Sequence, residues 1–144
     1  MTRFPDWPAR LDAFVTRNKD ERFRYGRMDC CLFVCDAIEI MTGIDPAIDF
    51  RGTYGSRAEA LQAMRRHTGS SSVRKVVEHV TARHGMGKVP VLRLQRGDIA
   101  LIKRPRDYSL GIVALNGREV LVRAAKGIES VSLLSPLLCQ GYHV

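Results

Sequence analysis

The sequence predicts an α+β fold with N-terminal helices packed on a C-terminal antiparallel β-sheet. Two observations carry this. Apolar residues in the first half recur at helical spacing between capping signals, whereas the second half breaks into short β-branched or apolar runs separated by turn residues. Helices first and strands afterwards is the segregated pattern, in which the sheet buries one face against the early helices. A chain of 144 residues is long enough to bury most of its apolar side chains in one core, so a single domain over residues 1–144 is expected.

Taken in order, Trp7, Leu11, Phe14 and Val15 keep helical spacing and Pro8 suits a first turn, which predicts a short amphipathic helix over residues 8–17. A second helix should open at Asp29, whose carboxylate can accept from first-turn amides, and stop at Gly43. Leu32, Phe33, Cys35, Ala37, Ile38 and Met41 make it apolar on most sides, so it is expected to be central and to cover the sheet. Asp45-Pro46 reads as a turn, with Arg51 and Tyr54 fixing the loop that follows. Ser56 with Glu59 has capping-box spacing and opens a third helix to about His67. A fourth runs from about Ser72 to His84 before Gly85. Strands are predicted over residues 99–103, 110–115, 119–124, 128–133 and 138–143, as an antiparallel meander with Asn116-Gly117 as a hairpin turn.

Composition narrows the function classes. No apolar run approaches the roughly 20 residues that cross a bilayer, so no membrane span is expected, and the first ten residues lack the apolar stretch of a signal peptide. Synthesis as a soluble chain in the bacterial cytoplasm follows. The formal charge of +8 suits an anionic partner, but the basic residues are scattered and no nucleic-acid motif accompanies them. A solvated surface is therefore expected, with no specific nucleic acid as partner. Cys30, Cys31 and Cys35 lie within one predicted helix, where local disulfide geometry is poor, so reduced thiols are expected. A thiolate cluster including Cys139 lacks the usual paired spacing, and neither a metal nor a cofactor is expected.

The chemistry-bearing residues gather at Asp29-Cys30. A thiol in a helix's first turn meets free amides and the positive end of the helix dipole, which lower its pKa and favour a nucleophile. The run from Phe23 to Phe33 resembles the motif of NlpC-type papain-like cysteine peptidases, in which an aromatic and a glycine, here Tyr25 and Gly26, precede Asp-Cys. Gly97-Asp98-Ile99-Ala100-Leu101 and Leu110-Gly111-Ile112-Val113 resemble the two strands that follow in that family. The similarity is closer to small proteins of unassigned function from phage and prophage tail gene clusters, which share Asp-Cys-Cys-Leu-Phe, Gly43-Ile-Asp-Pro46 and Arg51-Gly52-x-Tyr54.

The resemblance implies a papain-like, NlpC-type fold with Cys30 at the nucleophile position and Tyr25, Gly26 and Asp98 as binding or shaping residues. It also places Ser109 where the family has its histidine, and Arg123 near the third catalytic position. A serine cannot take a proton from a thiol near neutral pH. The expectation is a tail-tip or tail-assembly protein, a virion component or assembly factor, whose hydrolase site has lost its base, with other phage tail proteins as partners. The alternative is an active cysteine hydrolase cleaving peptidoglycan peptide bonds, its base supplied by His67, His79, His84 or His143. Asp29 reads first as a helix cap and then as an organiser of the Cys30 environment, and Asp98 as a residue that satisfies turn amides.

Overall fold

A computed structural model describes residues 1–144. Four helices come first: α1 (Trp7–Asn18), α2 (Cys30–Thr42), α3 (Arg57–Thr68) and α4 (Val73–Arg83). Six strands follow: β1 (Lys88–Val89), β2 (Ile99–Lys103), β3 (Tyr108–Val113), β4 (Glu119–Ala124), β5 (Gly127–Ser132) and β6 (Leu138–Tyr142), with a 3-10 turn over Val91–Arg93. The fold is α+β with helices packed on an antiparallel sheet.

Local signals set the helix ends. The Asp29 carboxylate accepts from the Leu32 amide at 2.9 Å, and Gly43 closes α2 in the left-handed region at φ 80° while its amide donates to the Glu39 carbonyl. Ser56 accepts from the Glu59 amide at 3.2 Å, as its capping-box spacing predicts. The α4 cap comes from far away, because Asp107 accepts from both the Val73 amide and the Ser72 hydroxyl.

The sheet order is β1-β6-β2-β3-β4-β5, all neighbours antiparallel. Strands β2 to β5 form the expected meander, but β6 leaves it and returns beside β2, where the two-residue β1 borders it. The sequence pattern placed the second predicted run, 110–115, two residues late: Tyr108 and Ser109 already pair with Lys103 and Ile102.

Alternation along the strands divides the apolar side chains between two cores. Ile99, Leu101, Leu110 and Ile112 face α1, α2 and α4 and join Phe14, Phe33, Val34, Ile38 and Met41 in the main core. Ala100, Ile102, Val113, Val120, Val122 and Leu138 occupy the opposite face, packed against Val91, Leu94, Val131 and Leu133. Helix α2 is therefore central, as its all-round apolar character predicts, and Cys30 in its first turn sits against β3.

Candidate functional site

The turn before α2 is built around one carboxylate. Asp29 is only 5% exposed and accepts from three donors: the Leu32 amide, the Gly26 amide at 3.1 Å and the Tyr54 hydroxyl at 2.5 Å. Gly26 has φ 81°, and a Cβ there would lie 2.0 Å from the Tyr54 carbonyl oxygen, so the turn closes on the 54 loop only with glycine. Burial and the Asp29 charge push the Tyr54 hydroxyl up, so it stays a protonated donor. Arg51 holds the same loop by ion pairs to Asp36 and Asp45.

This frame presents Cys30, which is partly exposed and reduced like the other three cysteines. Its Sγ lies 4.0 Å from that of Cys31. The hydrogen bond from Cys31, with the backbone amides of Leu110 and Cys31, stabilises the Cys30 thiolate. Together they outweigh burial and the Asp29 charge, so the Cys30 pKa is lowered. Cys31 shifts the other way, raised by its bond to Cys30 and by burial. Cys30 is thus the acidic thiol of the pair.

Beside Cys30 lies a cavity of about 270 Å³, lined mostly by apolar side chains of α2, α3 and α4, including Leu61, Met64, Val73, Val76 and Val80. Tyr25, 36% exposed and edge-on to Phe23 at 4.9 Å, forms part of the wall, and Tyr108 enters from β3. No histidine lines this cavity. His143 Nδ1 lies 2.9 Å from Asp98, the His67 ring packs on Phe50 with centroids 4.6 Å apart, His79 is exposed on α4, and His84 follows that helix. No three His, Cys, Asp or Glu side chains come together in a way that could hold a metal ion.

The other residues singled out in the sequence do not converge on the thiol. Ser109 pairs with Ile102 and so shares the sheet face opposite α2, where its hydroxyl accepts from Arg104 Nε at 2.9 Å. No base enters the cavity from position 109. Arg123 does face α2, but as a clamp. Its guanidinium, 3% exposed, donates to the carbonyls of Asn18 and Glu21 and lies 5.1 Å from the Phe33 ring centre. Burial lowers its pKa. Asp98, 1% exposed, accepts from the Gln95 and Val144 amides and pairs with Arg3 and His143, outside the cavity wall. The turn-amide role expected for it describes these contacts only in part.

Residues 2–139 match the profile of a domain of unknown function, DUF6950. The chain belongs to this family. No curated protein matches it.

Two cavity residues of this DUF6950 domain escape the motif reading. Tyr108 lies two residues before Leu110 and four before Ile112, on the helix-facing side of β3, and parity alone would have found it had the strand been started early enough. Asp107 lines the cavity while capping α4, a pairing across 34 residues that leaves no local signal. Tyr54 reads in the sequence only as a loop anchor, yet it is the hydroxyl that fixes the Asp29 carboxylate beside Cys30.

Proposed function

We propose that this chain is a phage or prophage tail-associated protein that keeps the thiol pocket of a papain-like cysteine hydrolase without its hydrolytic machinery. The observation that carries the reading is the cavity beside Cys30, which no imidazole lines. Amide hydrolysis by a cysteine needs a group that takes up the thiol proton and returns one to the leaving amine. Asp29 is committed to three donors and Asp107 to the start of α4, and Ser109 lies on the other sheet face. The tail association rests on the resemblance of Asp29-Cys30-Cys31-Leu32-Phe33 and Arg51-Gly52-x-Tyr54 to tail-cluster proteins. Its expected partners are tail-tip or hub proteins, met after synthesis in the bacterial cytoplasm.

The lowered pKa of Cys30 favours a second reading, a cysteine hydrolase acting on peptidoglycan peptides with a base brought by a partner or by substrate. One assay separates the two: purified peptidoglycan and free stem peptides are incubated with wild type and Cys30→Ser, and newly released amines are measured. No Cys30-dependent release, with the tagged chain recovered together with tail-tip proteins from induced cells, is the expected result. Release that the serine variant abolishes would establish the hydrolase instead.

A further inference from the structure

We infer that Cys30 is an acceptor for a medium-length acyl group, taken from an acyl thioester and stored in the apolar cavity beside it. The inference deepens the proposed function and rests on its premise that the site has no base. A cavity of about 150 Å³ takes a benzene ring, so one of about 270 Å³ admits roughly eight to ten chain carbons. Its walls suit a hydrocarbon: Leu61, Met64, Val73, Val76 and Val80 offer no hydrogen bonds, so a peptide backbone entering among them would leave its amides unpaired. Arg57 lines the cavity, is exposed and makes no ion pair with a carboxylate, which suits a phosphorylated carrier such as coenzyme A.

The lack of a general acid and base, which bars amide hydrolysis, selects this chemistry. The Cys30 thiolate attacks the thioester carbonyl, a new sulfur–acyl bond forms, and the bond from the acyl carbon to the coenzyme A sulfur breaks. Coenzyme A departs as a thiolate, which needs no proton to leave, and afterwards takes up the proton that Cys30 released to solvent. Removal of the acyl group by water would need an activated water, and no imidazole lines the cavity to supply one. The acyl protein therefore accumulates, one group per chain.

The test incubates the full chain with butyryl-, decanoyl- and palmitoyl-coenzyme A, reading intact mass, the modified residue and released coenzyme A. The expected result is one decanoyl group on Cys30, removable by neutral hydroxylamine, absent in Cys30→Ser, and formed about tenfold or more faster than the butyryl adduct because more methylenes are buried. Ala60→Phe, which fills the cavity from α3, should shift the preferred chain below decanoyl, a readout that an unfolded variant would not give. No adduct on a Cys30 that iodoacetamide still alkylates, or equal labelling at all lengths, overturns the inference and leaves the proposed function standing. Coenzyme A released far beyond one equivalent, without a lasting adduct, overturns both, since it would require a base in the site.

Discussion

Replacing Asp29 by asparagine separates the two roles of this carboxylate. As a helix cap the amide is nearly equivalent, because its oxygen can still accept from the Leu32 amide. At the other oxygen the Gly26 amide and the Tyr54 hydroxyl converge at 3.1 and 2.5 Å, and an NH₂ group there opposes the Gly26 donor while Tyr54 can only turn round to accept. The loss is one bond to a charged acceptor and the weakening of another, worth about 1.5–3 kcal/mol each at most, so about 2–4 kcal/mol of stability should disappear. For a chain of this size that lowers Tm by roughly 10 °C. The Asp29 charge also holds the Cys30 pKa up against its other neighbours. Its removal must move the midpoint of Cys30 alkylation to lower pH even as the protein becomes less stable. Urea denaturation and pH-dependent alkylation of Cys30 measure the two effects on one preparation. Stability within about 0.5 kcal/mol of wild type, the scatter of ordinary surface substitutions, would refute the anchoring role, and a midpoint shifted upward would refute the electrostatic one.

Other consequences are as direct. Gly26→Ala combines a left-handed backbone with a clash against the Tyr54 carbonyl and should cost more than about 2 kcal/mol; an unchanged urea midpoint would contradict it. Arg123→Met keeps an apolar stem over Phe33 but abandons the Asn18 and Glu21 carbonyls, for an expected loss of about 2–4 kcal/mol with Cys30 alkylation unaltered in the folded protein. A change in Cys30 reactivity would instead tie Arg123 to the thiol site. Burial pushes the Cys35 thiol up, so its contribution to stability is whole below the unfolded thiol value near 8.5 and declines as pH rises above it, by about 1.4 kcal/mol per unit. Cys35→Ala should flatten the fall in stability between about pH 8.5 and 9.5 by about 1 kcal/mol, the first unit being only partly titrated, and an unchanged slope would show that Cys35 ionises freely in the folded protein.

What the sequence disclosed follows the range of the interactions involved. Asp29, Gly43 and Ser56 act within four residues of themselves, so the ends of α2 and the start of α3 could be read from neighbours alone. The β2 and β4 runs are similarly bounded by their own turns. Motif position carried Ser109 toward the thiol, but strand parity sends it to the other face and brings Tyr108 instead. The Asp98 cluster joins Arg3, Gln95, His143 and Val144, and only the Gln95 contact lies close enough in sequence to be anticipated. Nor does any local pattern tell β6 to leave the meander, because its place depends on an unclaimed β2 edge that exists only once the sheet has formed.

That placement of β6 bears on how the chain is made. Strand β6 comes after β1 to β5 in the chain yet fills an interior position between β1 and β2, so the preceding residues hold β2 with one row of backbone groups unpaired until residues 138–142 arrive. During that interval Ile99 to Ile102, four consecutive apolar residues, form a sticky border open to any extended segment. A product terminated before Leu138 would keep that border permanently and should be recovered in inclusion bodies rather than as a smaller folded protein.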